Sequence, residues 1–343
     1  MHSFKNDYTE TAHPRILQAL IDTNMEQDEG YGLDRHSKSA AESIRRLLGI
    51  TGEASKSVDV HFLCGGTQTN LTAISAFLRP HEAVVAAETA HICVHEAGSI
   101  EATGHKILPV PTTDGKLRPP DVQKVLDFHP NDEHMVKPRL VKISNSTEIG
   151  TVYKKHELED LSSFCRENRL LLYADGARLG SALTVEGADL TLADMNRLTD
   201  AFYIGGTKNG ALLGEALVIS NDALKEDFRY HIKQKGGLLA KGRVLGIQFE
   251  ELFLDNLFFD LAKHANRVAQ LIVAELKKGG CEFLTDSPSN QIFPILSNEL
   301  IEKLQKNWLF YIWQKIDENR SAIRLVTSWA TKEEVVREFL KEF

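Results

Sequence analysis

Residues 170–179 read LLLYADGARL, and residues 202–210 read FYIGGTKNG. Each stretch begins as an apolar run typical of a buried strand and ends in small or charged residues. In open α/β sheets, ligands bind outside the carboxyl ends of the strands. The two stretches therefore predict an α/β fold in which Asp175 and Lys208 are candidate ligand-binding side chains at one edge of a sheet.

Short apolar runs alternate with helical patterns on both sides of these stretches. This alternation predicts a mostly parallel sheet with helices on both faces. Glycine-rich spacing before the last strand favours a hairpin-like return rather than a helical crossover. The predicted strands are 59–63, 84–86, 106–110, 140–143, 170–174, 201–204 and 216–219, and the predicted helices are 13–23, 35–48, 66–80, 94–103, 119–126 and 158–167.

The pattern changes after about residue 222, where amphipathic helical segments continue to residue 277. Residues 281–343 combine short strand signals with two helical patterns, which is typical of a small α+β domain. At 343 residues the chain exceeds one average domain. We predict a large α/β domain over residues 1–250 and a small α+β domain over residues 251–343.

The composition excludes several classes of function. The chain has 40 basic and 48 acidic residues, and its net charge of −8 disfavours nonspecific binding to nucleic acid or an anionic membrane. No apolar run approaches the roughly 20 residues that span a bilayer, and the N-terminus has no signal-peptide pattern. The four cysteines are scattered, so we expect reduced thiols, no metal site and a cytoplasmic location.

The combination of Lys208 and Asp175 indicates a pyridoxal phosphate (PLP) site. A lysine amine forms a Schiff base with this cofactor, and a carboxylate keeps its pyridine nitrogen protonated so that the ring accepts electrons. The alternatives are a solvated lysine and an N-cap or turn aspartate. Gly205, Gly206 and Gly210 favour the first interpretation because they let a cofactor approach the backbone closely.

Three further motifs fit the same cofactor. Residues 65–70 read GGTQTN and open a helix, where backbone N–H groups and the Thr67 hydroxyl can hold a phosphate; the alternative is a turn that needs glycine for a positive φ. His91 follows a strand and could stack on a flat ring, or it could be structural. Arg178, about one helical turn after Asp175, could neutralise a carboxylate or a phenolate, or it could be a surface arginine.

These motifs, in this order, resemble those of the threonine aldolase group of fold-type I PLP enzymes, whose family also includes aromatic amino-acid β-eliminating lyases. The resemblance extends from about residue 6 to residue 330. It implies the fold-type I PLP-dependent transferase-like fold, with a mostly parallel seven-stranded sheet and a small C-terminal α+β domain. It also implies a homodimer or homotetramer whose sites lie between subunits, acting on a small amino-acid substrate.

The resemblance assigns a role to each cofactor-binding residue. Lys208 resembles the Schiff-base lysine, and Asp175 resembles the carboxylate at the pyridine nitrogen. Arg178 is similar to an arginine shared between the cofactor phenolate and the substrate carboxylate. His91 resembles the stacking histidine, and the phosphate-binding turn corresponds to Gly65, Gly66 and Thr67.

Further residues are implied near the substrate. Arg324 resembles the small-domain arginine that binds the α-carboxylate, and His134 falls where the family places a second active-site histidine. Tyr31 resembles a tyrosine that reaches into the neighbouring subunit's site. Lys241 resembles a residue that meets the neighbouring subunit's cofactor phosphate.

Three stretches depart from the family pattern. Residues 5–7 read KND where aldolases carry Arg-Ser-Asp, so Asn6 stands where a serine contacts the substrate carboxylate. Residues 144–151 read SNSTEIGT in place of an Asn-Thr-His-Asn type loop, and Gly-Gly-Thr-Lys replaces Ser-x-Ser-Lys before Lys208. These changes preserve the chemistry of cofactor binding and lie near the substrate.

The implied reaction is cleavage of the Cα–Cβ bond of L-threonine, L-allo-threonine or a related β-hydroxy-α-amino acid, giving glycine and an aldehyde. His134, His91 or a water that they position would accept the proton of the β-hydroxyl. A β-eliminating lyase or an aminotransferase would use the same lysine, carboxylate and arginines. A non-catalytic, regulatory protein of this fold is a third alternative, which the presence of both Lys208 and Arg324 disfavours.

Overall fold

The structure is a computed structural model that describes residues 2–52 and 57–343. The described residues form three sheets: a central, mostly parallel one, a C-terminal antiparallel one, and a two-stranded parallel sheet that pairs His2–Ser3 with Trp308–Leu309. The strands are β1 (His2–Ser3), β2 (Asp59–Leu63), β3 (Glu82–Ala87), β4 (Ile107–Val110), β5 (Lys137–Ser144), β6 (Leu171–Asp175), β7 (Ala201–Gly205), β8 (Glu215–Ile219), β9 (Glu282–Phe283), β10 (Gln291–Ile292), β11 (Pro294–Ser297), β12 (Trp308–Leu309), β13 (Tyr311–Lys315) and β14 (Arg320–Val326).

The helices pack around these strands. They are α1 (Pro14–Asp22), α2 (Arg35–Leu47), α3 (Gly66–Phe77), α4 (His91–Val94), α5 (Pro119–Phe128), α6 (Lys155–Glu167), α7 (Leu179–Thr184), α8 (Leu192–Leu198), α9 (Phe228–Gln234), α10 (Arg243–Leu252), α11 (Leu257–Lys278), α12 (Asn298–Leu304) and α13 (Glu333–Leu340). Within the described residues, none of them has the length and apolar character that crossing a membrane requires.

The central sheet confirms the predicted seven-stranded, mostly parallel arrangement. Its strand order is β2-β8-β7-β6-β5-β3-β4. The pairs from β7 to β4 are parallel, and β8 runs antiparallel to both of its neighbours. The predicted hairpin-like return from β7 to β8 is therefore confirmed.

Both faces of the central sheet are buried, each against its own apolar core. Successive side chains of one strand point to opposite faces, so neighbouring residues enter different cores. In β3, Val85 belongs to one apolar core and Val84 to another. In β6, Leu172 and Tyr173 divide between the two cores in the same way. A strand that is buried on both sides reads as a continuous apolar run, which explains the pattern at residues 170–174.

The C-terminal strands form a smaller antiparallel sheet in which β14 pairs with β10, β11 and β13. Its core also contains Phe4, because β1 pairs in parallel with β12. Helix α11 joins the two parts, since Leu261 packs in a core of the central sheet and Ile272 packs in the C-terminal core. The division of the chain at residue 250 stays a prediction.

The helix predicted over residues 94–103 is wrong. The segment forms the short helix α4, then turns, then a single 3₁₀ turn at Glu101–Thr103. Ala97 and Gly98 take positive φ values of 49° and 72°, which end any right-handed helix. Five further elements were not predicted from the sequence: β1, α7, α8, β12 and β13.

Candidate active site

Four strands of the central sheet end at the same edge and bring the predicted cofactor residues together. His91 follows β3, Ser144 ends β5, Asp175 ends β6 and Lys208 follows β7. This edge opens onto a cavity of about 410 Å³, beside a second cavity of about 550 Å³. The first is lined by Gly65, Gly66, Thr67, His91, Asp175, Arg178 and Lys208, while Arg324, Arg178, His91 and Lys208 line the second.

Lys208 lies in the turn between β7 and β8, where two glycines make room for close backbone packing. A Cβ on Gly205 would lie 2.4 Å from the carbonyl oxygen of Ala177, and one on Gly206 would lie 2.9 Å from that of Gly214. Burial, and then the positive charge of Arg178, lower the pKa of the Lys208 amine. A larger fraction of the amine is therefore unprotonated and nucleophilic than in a solvated lysine.

Asp175 is a buried carboxylate with four hydrogen-bond donors. Its Oδ1 accepts from the Tyr203 hydroxyl and, at 3.1 Å, from the backbone N–H of Ala177. Its Oδ2 lies 3.1 Å from both Asn70 Nδ2 and the ammonium of Lys142. Burial raises the pKa of Asp175, but Lys142 and then Tyr203 lower it more, so the net pKa lies well below its ordinary value. The carboxylate therefore stays ionised and can hold a protonated ring nitrogen.

The N-terminus of α3 also lines the first cavity. Neither Gly65 nor Gly66 has a positive φ, so conformation is not the reason for these glycines. A Cβ on Gly66 would lie 3.0 Å from the Tyr203 hydroxyl, and one on Gly65 would meet nothing within 4 Å. The Thr67 hydroxyl is exposed and makes no hydrogen bond with the described residues. Open backbone N–H groups beside a free hydroxyl suit a phosphate.

Arg178, whose side chain is 11% exposed, pairs with a carboxylate that was not identified from the sequence. Its Nε and Nη2 donate to Asp7 Oδ2 and Oδ1 at 2.7 and 3.0 Å, and Asn290 Nδ2 donates to Oδ2 at 2.9 Å. Burial opposes charge on both groups, yet the pair raises the pKa of Arg178 and lowers that of Asp7. Nη1 makes no hydrogen bond with the described residues and remains available to an anionic ligand.

Arg324 projects from β14 into the second cavity between two aromatic rings. Its guanidinium carbon lies 5.0 Å from the centre of the Trp313 ring and 5.3 Å from that of Tyr311. Nη2 donates to the carbonyl of Lys5 at 3.2 Å, while Nε is buried without a partner among the described residues. A partly buried cation with an unfilled donor fits a substrate carboxylate.

His91 is fixed from two sides. Its Nδ1 lies 2.8 Å from Glu96 Oε1, and its backbone N–H donates to Glu148 Oε1 at 2.7 Å. Its ring centre lies 5.4 Å from that of His95, which also lines both cavities. Burial, then the charges of His91 and Arg324, lower the pKa of His95. His95 is thus a second histidine at the site, which the sequence analysis did not select.

Four predicted residues do not line these cavities within the chain. Asn6 accepts hydrogen bonds from Tyr8 and Thr9 in a local turn. His134 is exposed, three residues before β5 begins, and so lies at the opposite edge of the sheet from Lys208. His134 lines neither of the two cavities of its own chain. Tyr31 is 44% exposed and lines a separate cavity, and Lys241 is exposed on the surface.

The sequence analysis missed several residues of the site: Asp7, Tyr8, Asn70, His95, Lys142, Glu148, Tyr203 and Glu215. One of them carried a usable signal. Lys142 lies between Val141 and Ile143 inside an apolar strand, and a lysine in such a position needs a buried partner. The others depend on contacts between segments that are distant in the chain.

The arrangement fits PLP. Lys208 can hold its aldehyde carbon, Asp175 its ring nitrogen, the start of α3 its phosphate and Arg178 its phenolate, with open space beside Gly65. A nucleophilic lysine and a buried carboxylate around one cavity supply the groups that this cofactor needs. The fold is that of the fold-type I PLP-dependent enzymes.

Comparisons with known proteins agree. Residues 4–298 match the family described as "Beta-eliminating lyase". The chain is 33% identical to the low specificity L-threonine aldolase of Pseudomonas aeruginosa, covering 99% of this chain and 96% of that protein. The chain belongs to the β-eliminating lyase family.

Solved structures give the same result. The structure of Leishmania major threonine aldolase is 50% identical, with a TM-score of 0.96, and the match covers 99% of this chain and 98% of that one. An aspartate aminotransferase from Thermus thermophilus matches with a TM-score of 0.72 at 16% identity, covering 99% and 90% of the two chains. The second likeness shows the shared fold alone.

Proposed function

We propose that the chain is a PLP-dependent aldehyde-lyase that cleaves the Cα–Cβ bond of L-threonine, L-allo-threonine or a related β-hydroxy-α-amino acid. The products are glycine and an aldehyde. The observation that carries the proposal is the convergence of Lys208, Asp175 and two arginines, Arg178 and Arg324, on adjoining cavities. The threonine aldolases among its relatives support the choice of substrate.

Each residue has a defined task in this proposal. When bound, PLP supplies an electron sink for a bond at the substrate Cα. Lys208 would hold the cofactor, and ionised Asp175 would keep its ring nitrogen protonated. Arg324, with Nη1 of Arg178, would hold the substrate carboxylate, and this would fix which bond at Cα is aligned for cleavage. His91 is the residue that would contact the ring.

The sites would be completed between subunits of a homodimer or homotetramer. Tyr31 would contact a neighbouring subunit's substrate, Lys241 would contact the neighbouring phosphate, and His134 would act at another subunit. The segment around α1 supports an interface, because Ile21 is 68% exposed and Met25 is 88% exposed. A cytoplasmic location is in keeping with the four cysteines, which are all free.

Product analysis of the protein supplied with PLP tests the function. With L-threonine or L-allo-threonine we expect glycine and acetaldehyde, together with a visible absorbance band of the bound cofactor. The Lys208→Ala variant should lose both the turnover and the band, since no amine remains to hold the cofactor. Full turnover in that variant would refute the assignment of Lys208.

The two alternative reactions, β-elimination and transamination, would form different products. Elimination would give ammonia and a keto acid, and transamination would give a new amino acid from an added keto acid. The same incubation separates the three reactions. The shared fold of the aminotransferases does not favour transamination, because that likeness rests on 16% identity.

A further inference from the structure

Glu148 lies where the two cavities meet, and the described residues hold its carboxylate through only one oxygen. Its Oε1 accepts from the backbone N–H of His91 and from the Ser144 hydroxyl, both at 2.7 Å. Its Oε2 makes no hydrogen bond with residues 2–52 or 57–343. The side chain is 11% exposed and lines both cavities together with Lys208 and Arg178.

The buried Lys142 lies next to the Glu148 carboxylate. Lys142 is fully buried, and its ammonium lies 3.6 Å from Glu148 Oε1 and donates to Ser144 Oγ at 2.6 Å. Burial lowers the pKa of Lys142, but Asp175 and then Glu148 raise it more, so the net shift is upward and the ammonium stays charged. One fixed positive charge thus lies between the carboxylate at the ring nitrogen and the carboxylate facing the substrate.

The two nearby histidines are less suited to accept a substrate proton. The His91 ring is assigned to the face of the cofactor, and its Nδ1 is engaged by Glu96. His95 is exposed, and its side chain makes no hydrogen bond with the described residues. A proton acceptor must be held in position relative to the atom that it serves, and of these three side chains only Glu148 combines two short hydrogen bonds with a free oxygen at the cavity.

We propose that Glu148 is a further catalytic residue, whose Oε2 accepts the proton of the substrate β-hydroxyl as the Cα–Cβ bond breaks. The electron pair of the O–H bond becomes the second C–O bond of the aldehyde. The electron pair of the Cα–Cβ bond stays with Cα, which takes up a proton before glycine leaves. No outside oxidant or reductant is needed. The proposal rests on the proposed aldolase function.

The test is the Glu148→Gln variant, which keeps the size of the side chain but removes the proton acceptor. With L-threonine we expect kcat to fall by about 100-fold or more, the usual contribution of general base catalysis. Exchange of the glycine α-hydrogen with deuterium, followed by NMR, does not involve a β-hydroxyl and should stay within about threefold of the wild type. Absorbance titration with PLP should be unchanged.

The matched control is Glu101→Gln, an exposed glutamate outside both cavities, which should retain wild-type cleavage. Wild-type cleavage in the Glu148 variant would overturn the role of Glu148 while leaving the aldolase intact. Equal loss of cleavage and of deuterium exchange, or loss of PLP binding, would also overturn it, because the residue would then act on the site as a whole. Failure of the wild type to cleave either threonine would instead refute the proposed function itself.

Discussion

At the scale of single residues, ion pairs with neighbouring side chains keep the acidic and basic groups of this site charged although they are largely shielded from solvent. Asp175 and Lys142 form a buried ion pair at 3.1 Å, and Asp7 with Arg178 forms another. Removing one partner of such a pair leaves an uncompensated charge in the interior. The carboxylates and cations of the site therefore act as fixed charges around the cavity.

Glu215 differs from these carboxylates because no cation lies close enough to offset the rise in its pKa that burial causes. It begins β8, and its Oε2 accepts from the backbone N–H of Gly206 at 3.2 Å. Burial raises the pKa of Glu215 from its ordinary value of 4.5 to about 8, even though Thr207 and Lys208 act in the opposite direction. In the folded chain at neutral pH the carboxyl is therefore mostly protonated.

This shift predicts a loss of stability with rising pH. The unfolded chain releases the Glu215 proton near 4.5 while the folded chain keeps it up to about 8, so the folded state binds more protons in this window. The contribution is fully present below the unfolded pKa and is lost as the pH rises through the folded one. Glu215→Gln, neutral at every pH, should remove this dependence.

Urea unfolding of both proteins between about pH 5 and pH 8 measures the effect. We expect the free energy of unfolding of the wild type to fall relative to that of the variant as the pH rises. The exposed Glu338→Gln variant serves as a control and should follow the wild type. A constant difference between wild type and Glu215→Gln across the range would contradict the raised pKa.

At the scale of elements, the N-terminal segment that begins with β1 closes the C-terminal core through Phe4. Phe4 is fully buried, and its ring centre lies 5.8 Å from that of Trp308 and 5.1 Å from that of Phe339. Its backbone N–H donates to Leu309 and its carbonyl accepts from Val326. The same N-terminal segment continues to Asp7, which pairs with Arg178, so the packing of Phe4 helps to position the active site.

We predict that Phe4→Ala lowers the free energy of unfolding by about 3–5 kcal/mol, the usual cost of emptying a buried phenylalanine site. Chemical denaturation measures the change. Phe128→Ala, at a position that is 71% exposed, should change it by less than about 0.5 kcal/mol. Equal effects of the two substitutions would show that the packing of Phe4 does not stabilise the fold.

Elements were predicted well where both faces of a strand are buried. They were predicted poorly where contacts with distant segments, and not a local sequence pattern, determine the secondary structure. Strands β5 to β8 read as apolar runs because both of their faces are covered. Helix α7 is six residues long and consists of small and apolar residues, so it shows no amphipathic period. Strand β13 is mostly exposed on one edge of β14, which removes the apolar signal that the other strands carry.

At the scale of the whole molecule, we predict a dimer or tetramer in which Tyr31 acts at a neighbouring subunit. Tyr31 is half exposed, its φ is 59°, and its ring lies 4.7 Å from Lys233 Nζ on α9. Light scattering should give at least twice the mass of one chain. Tyr31→Ala should lower kcat/KM by about tenfold, the cost of roughly one lost hydrogen bond, with the cofactor absorbance retained.

Mixing subunits tests this placement directly. Hybrids of Tyr31→Ala and Lys208→Ala subunits should recover part of the activity, because one site of each hybrid would combine an intact lysine with the partner's intact tyrosine. A monomeric enzyme, or hybrids without recovery, would contradict a role for Tyr31 across subunits.

The sequence by itself determined the class of fold and most of the cofactor site. Lys208, Asp175, Gly65 and His91 each lie at the carboxyl end of a strand, and parallel strands end at one edge, so order in the chain was enough to group them. The tertiary structure decided the partners of these residues. Asp7 on Arg178, Lys142 on Asp175 and Glu148 at the cavity are contacts between segments far apart in the chain, formed because buried charges require partners wherever the fold supplies them.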